Sequence, residues 1–192
     1  ATAAAEAGAR RLLFASSAAV YGEPAELPLS EESPTRPAVP YGVSKLTAER
    51  VLAEVLGPAG VDFAALRLAN VYGPRQRADG EGGVVARFAS RMAAGKAPTV
   101  YGSGRQTRDF IFVGDVVSAF VSALEAPEAL AREGENGPAY NVSTGSPMSV
   151  NDLAEGLRDA CGYPGPIEHA EARDGDVAES VLDPSKAARV FG

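Results

Sequence analysis

The sequence predicts an α/β fold with a parallel sheet, and two observations carry that prediction. Two short apolar runs, 11–15 and 61–68, flank a helical pattern over 41–56, which is the strand, crossover helix and strand of a right-handed parallel unit. Both runs end in turns rich in Ser, Asn and Gly, where open parallel sheets place their ligands.

Residues 1–8, mostly alanine and ending in Gly8, look like the last turns of a helix closed by its glycine. Arg11-Leu12-Leu13-Phe14-Ala15 follows as a buried strand that ends in Ser16-Ser17-Ala18-Ala19-Val20-Tyr21-Gly22. Ser16 and Ser17 are either site residues or simple strand terminators. Pro24, Pro28, Pro34, Pro37 and Pro40 then predict a surface loop.

The helix from Tyr41 carries Val43, Leu46, Val51, Leu52, Val55 and Leu56, and Gly57-Pro58 stops it. After the strand 61–68, Asn70-Val71-Tyr72-Gly73-Pro74-Arg75-Gln76 reads as a turn leading to a glycine-rich loop at 80–83. A helix over 84–94 and a strand over 99–101 follow. Gly102-Ser103-Gly104 resembles the start of a dinucleotide fingerprint, but Thr107 stands where the third glycine belongs, so a hairpin turn is expected.

Residues 108–113 read as a strand, with Gly114-Asp115 expected to cap a helix reaching about Ala126. Tyr140 to Ser143 is a short strand. Ser149 is expected to cap a helix over 150–160, with Asp152 at its positive dipole end. A short extended segment lies within 164–170, a loop holds Arg173-Asp174-Gly175-Asp176, and Asp183-Pro184-Ser185 opens a last helix.

With 192 residues and 45% apolar content, the chain can bury about 70% of its extended surface. A net charge of -7 argues against a nucleic-acid partner. His169 is the only histidine, so multi-histidine metal sites are excluded and no metal is expected. No apolar run approaches the roughly 20 residues of a membrane span, and no signal-peptide pattern opens the chain. The single cysteine, Cys161, cannot form an internal disulfide, which fits a reducing, cytoplasmic setting.

Tyr41 and Lys45 are four residues apart, so they share a helix face about 6 Å apart along the axis. An ammonium beside a phenol favours the phenolate, which an ordinary tyrosine with a pKa of about 10 hardly forms at neutral pH. Alone, this spacing also suits an ordinary helix.

Five segments in order and spacing sharpen the reading. They are Ser-Ser-Ala-Ala-Val-Tyr-Gly at 16–22, Pro-Tyr-Gly-Val-Ser-Lys at 40–45, Arg-Leu-Ala-Asn-Val-Tyr-Gly-Pro at 67–74, Arg-Asp-Phe-Ile at 108–111 and Arg-Asp-Gly-Asp at 173–176. Together they resemble the extended short-chain dehydrogenase/reductase family, and within it the UDP-glucose 4-epimerases.

That resemblance implies the C-terminal part of a Rossmann-like NAD-binding sheet, over 1–72 and 106–145, and part of a smaller nucleotide-sugar domain, over 73–105 and 146–192. It implies Tyr41 as acid/base, Lys45 as the partner of the nicotinamide ribose, and Ser17 as a hydrogen-bond partner of the sugar 4-hydroxyl. Ala15, Tyr41, Lys45 and Leu68 would border NAD. Asn70, Arg108 and Arg173 would contact the diphosphate, Thr99, Tyr101 and Asp176 would lie near the uridine, and Val84 would also border the substrate. Ser180, small where restrictive family members carry tyrosine, would admit N-acetyl sugars. A homodimer through the outer face of the Tyr41 helix is implied as well.

The implied reaction interconverts UDP-glucose and UDP-galactose by transient oxidation at C4. The Asp-Glu pair of related sugar dehydratases is replaced here by Ala18 and Ala19, and decarboxylases usually place Glu at Ala19's position. Those activities and a non-catalytic nucleotide-sugar-binding protein are the alternatives. The family's glycine-rich turn for the NAD pyrophosphate, with the first strands, is not found in the sequence, so a fragment of a longer enzyme is expected.

Overall fold

A computed structural model describes residues 1–24, 26–79, 83–127, 129–130, 137–172 and 177–191. Three parallel strands form the main sheet in the order β1 (Arg11–Ser17), β2 (Asp62–Leu68) and β6 (Ala139–Val142). Helix α2 (Pro40–Leu56) is the crossover from β1 to β2, as expected. Helix α1 (Thr2–Glu6) precedes β1, and Gly8 closes it at φ 69.

Side chains alternate across a strand, and β2 shows why its central residues 63–66 are all apolar. Phe63 and Ala65 join Leu52 and Leu56 of α2 on one face. Ala64 and Leu66 face the other way, with Tyr140, Ile111 and Val116 of α4 (Val113–Glu125). Fully burying one such leucine contributes about 1.5–3 kcal/mol.

A second sheet joins β3 (Asn70–Tyr72), β5 (Thr107–Phe112) and β7 (Pro147–Ser149), with β9 (Glu179–Ser180) also on β5. The expected domain division runs across this sheet, since it groups β3 and β5 with the first domain and β7 and β9 with the second. A third pair unites β4 (Thr99–Tyr101) and β8 (Glu168–Ala170). Phe88 of α3 (Val84–Ala93), Val100, and Val150 and Ala154 of α5 (Val150–Cys161) pack as a separate small core beneath it. Helix α6 (Ser185–Phe191) returns to the main core through Ala187 and Phe191.

Three local expectations need correction. Gly102-Ser103-Gly104 closes no hairpin, because β4 pairs with β8 while β5 pairs elsewhere. Asn151 at the start of α5 donates to the Ser103 carbonyl at 3.0 Å and lies so near Gly104 that a Cβ there would overlap it, so the turn docks on that helix. Asn70-Val71-Tyr72 is a strand, paired in parallel with Phe110-Ile111-Phe112. Gly114 and Asp115 lie in the first turn of α4, whose N-cap is Phe112, since β5 runs straight into the helix. Ser149 caps α5 as expected, accepting from the Asp152 amide at 3.0 Å.

A charged chain crosses the core. Arg67, with no exposure near the carboxyl end of β2, pairs with Glu49 of α2 at 2.8 and 3.1 Å and donates to the Tyr21 hydroxyl at 3.0 Å. Tyr21 donates to Asn141 Oδ1 at 2.7 Å, and Ser16 donates to Glu49. Burial pushes the Tyr21 phenol up, against the opposing pull of Arg67. Burial also works against the Arg67 charge, but the hydrogen bond to Glu49 and the pull of its partners outweigh it and raise the Arg67 pKa.

Candidate active site

The carboxyl end of β1 and the amino end of α2 meet at a close approach. Ser17 ends the strand and accepts from the Ala19 amide at 3.1 Å, which starts a short 3-10 turn over 18–20. Gly42, one residue past Tyr41, packs on that turn so tightly that a Cβ would fall 2.3 Å from the Ala19 carbonyl oxygen. A side chain there would lift α2 off the strand end.

Lys45 fixes the same contact from the next turn of α2, where its Nζ donates to the Ala15 carbonyl at 2.9 Å. The ammonium sits 5.6 Å from the centre of the Tyr41 ring and 5.1 Å from that of Phe14. Among the described residues this uses one of its three donors. Tyr41 is 53% exposed, so its phenol is open to a ligand.

One cavity opens at this point, and a second adjoins it. The first, of about 540 Å³, is lined by Ser16, Ser17, Tyr41, Leu68, Asn70 and Val84, with Gln76 at its wall. The other, of about 390 Å³, is lined by Asn70, Val84, Thr99, Tyr101 and Arg108, with Gln106 beside them. Asn70, Gly83 and Val84 border both.

The expected site residues therefore divide into groups. Ser17, Tyr41, Leu68, Asn70 and Val84 share the first cavity, and Asn70, Val84, Thr99, Tyr101 and Arg108 the second. Ala15 and Lys45, joined by the ammonium-to-carbonyl hydrogen bond, are outside the lining of both cavities. Ser180 stands opposite Arg108 in the β5–β9 register, outside the lining of both cavities. Arg173 and Asp176 lie outside the described residues.

Several supports go beyond what the sequence motifs announce. The Asn70 side-chain amide donates to the Asp109 carbonyl at 3.2 Å. The Asp109 carboxylate, 1% exposed, accepts from the Thr144 amide and hydroxyl at 3.0 and 2.6 Å and from the Gly145 amide at 3.0 Å, which locks the 143–146 turn onto the strand that carries Arg108. Gln76 donates to the Val71 carbonyl at 2.8 Å and packs against Gly83, shaping the wall before α3. Two more cations, Arg87 and Arg91, line the second cavity. Their only signal in the sequence is the four-residue spacing on α3, beside the buried Phe88 and Met92.

Among the described residues no helix is long and apolar enough to cross a membrane. Likewise none of them form a group of three or more His, Cys, Asp or Glu side chains that could hold a metal.

The model of the NAD dependent epimerase/dehydratase family matches residues 1–143. The UDP-glucose 4-epimerase of Mycolicibacterium smegmatis is 39% identical over 187 residues, 97% of this chain and 58% of the relative. A UDP-N-acetylglucosamine 4-epimerase of Methanobrevibacter ruminantium M1, solved in complex with UDP-N-acetylmuramic acid, superposes with a TM-score of 0.91 at 31% identity, covering all of this chain and 59% of the other. A Thermus thermophilus UDP-glucose 4-epimerase in complex with NAD gives 0.84 at 36% identity, with 100% and 61% covered. The chain spans 55–58% of the length of the first curated relatives it matches.

Proposed function

Because the chain belongs to the NAD-dependent epimerase/dehydratase family, we propose that it is part of a nucleotide-sugar 4-epimerase that interconverts UDP-glucose and UDP-galactose with NAD. The observation that carries this reading is the pair of adjoining cavities, with the Tyr41 phenol and Ser17 at one end and guanidinium groups at the other, and with the Lys45 ammonium 5.6 Å from the centre of the Tyr41 ring. A UDP-sugar laid across them puts its diphosphate near Asn70 and Arg108, its nucleoside toward Thr99 and Tyr101, and its hexose against Ser17 and Tyr41.

The residues fit the cofactor, since two Lys45 N–H groups stay open for a ribose hydroxyl beside the exposed Tyr41. Ala15 and Leu68 border that position. The chemistry supplied by bound NAD is reversible uptake of hydride from C4 of the sugar.

Tyr41 takes the proton of the 4-hydroxyl, and Ser17 donates to or accepts from the same oxygen to hold it in line. Proton return from Tyr41 to the turned-over sugar completes the epimerisation. Ala18 and Ala19 carry no proton donor for elimination of water, which favours epimerisation over dehydration. Both expected domains, 1–72 with 106–145 and 73–105 with 146–192, would contribute residues to the ligand site.

Val43, Val51 and Val55 are exposed on α2 and suit a homodimer through that helix. The exposed free Cys161 suits the cytoplasm. Acidic net charge disfavours nucleic acid as a partner.

The test is to incubate the protein containing this chain with UDP-glucose and NAD and to separate the products by chromatography. Formation of UDP-galactose supports the reading, and its absence with bound NAD overturns it.

A further inference from the structure

Arg87 lies one turn into α3 from Val84, which with Asn70 and Gly83 borders both cavities, about 5 Å along the helix axis. It is half-buried, and among the described residues its side chain has no hydrogen bond or ion pair. Arg91, a turn further on, keeps its Nε on the Ala97 carbonyl at 2.6 Å, and Arg108 reaches the same cavity from β5. Three guanidinium groups therefore face one cavity whose described lining holds no carboxylate, in a chain whose net charge is -7.

Concentrating cations in a concave site of an otherwise acidic protein raises the local potential for an anion. A partly desolvated guanidinium without a partner is unfavourable until an anion pairs with it. The open amino end of α3, capped by Gly83 with no side-chain acceptor, points the same way. We propose that Arg87 is a diphosphate-binding residue, a second fork beside Arg108 at the junction between the nucleoside and sugar halves of the ligand. This rests on the nucleotide-sugar reading and adds to it a residue that anchors the anion. Arg91, a turn further along α3, already has its Nε committed to the Ala97 carbonyl.

The cavity is lined within this chain, so the test needs neither NAD nor turnover. Isothermal titration of the purified chain with UDP and with uridine, after circular dichroism has shown that each variant is folded, separates charge from packing. Wild type is expected to bind UDP more tightly than uridine. Arg87→Gln should weaken UDP by about 10-fold or more, the size of a charge-assisted hydrogen bond, and change uridine by less than about twofold. Arg87→Lys should recover part of the UDP affinity through its point charge, without the bidentate fork. Wild-type UDP binding that Arg87→Gln leaves within about twofold overturns the inference alone, as does an equal loss for uridine. Failure of the folded wild type to bind UDP at all overturns the nucleotide-sugar reading with it.

Discussion

The Lys45 ammonium donates to the Ala15 carbonyl at 2.9 Å, which pins the helix bearing Tyr41 to the strand that ends in Ser17. With the helix held there, removing only the phenol oxygen leaves the ring packing in place. In the protein containing this chain, Tyr41→Phe is expected to lower turnover by about 10² or more, as for other positioned acid/base groups. Ser17→Ala should cost less, since it removes one hydrogen bond and not the base. Steady-state rates at saturating NAD check both, and unchanged turnover in Tyr41→Phe assigns the proton to another group.

The Glu49–Arg67 pair should matter for stability in the opposite way from a surface ion pair. Removing one partner strands a charge that is buried between α2 and β2. Glu49→Ala is expected to cost roughly 3–5 kcal/mol, the range for breaking a buried pair, whereas an exposed pair such as Arg77–Asp79 should contribute little. Urea unfolding measures it, and a loss below about 1 kcal/mol contradicts the burial argument.

The carboxyl of Asp183 is held below the usual carboxylate range by the Ser185 hydroxyl and then by the Ser185 amide, which donates at 2.9 Å. A folded-state pKa below the unfolded one gives stability that is present above the unfolded value, about 3.9, and is lost as pH falls through the folded value. Asp183→Ala should therefore destabilise the start of α6 more at pH 7 than at a pH well below about 3.9. Equal losses at both pH values would show that the carboxylate charge plays no part.

Much of this arrangement was legible in the sequence. The 3.6-residue pattern and Gly57-Pro58 gave α2 its length, and the spacing of Tyr41 and Lys45 put both on one face toward the strand end. The strand at 70–72 was hidden because its Asn-Val-Tyr-Gly-Pro run carries turn residues, while its pairing partner lies some 40 residues later. Arg67 carries a signal of its own in the sequence. A guanidinium inside an otherwise apolar buried strand requires an acid, and Glu49 faces it from α2. Arg87 gave no such signal, since on a helix an arginine reads as solvated until the cavity wall is seen.

The sequence contains no G-x-x-G-x-x-G turn, the element that brings backbone N–H groups and a helix dipole to a dinucleotide pyrophosphate. The 192-residue chain tested by itself is therefore expected to show no tight NAD binding and no epimerase activity. Titration that finds micromolar NAD affinity for this chain contradicts that expectation.

The central claim is oxidation and re-reduction at C4 within one closed site, and an isotope experiment addresses it directly. The protein containing this chain is incubated with NAD and UDP-glucose deuterated at C4, and the products are read by mass spectrometry and NMR. The account predicts UDP-galactose that keeps deuterium at C4, since hydride leaves and returns without meeting water. UDP-galactose with protium at C4, or a 4-keto-6-deoxy product in its place, would contradict it.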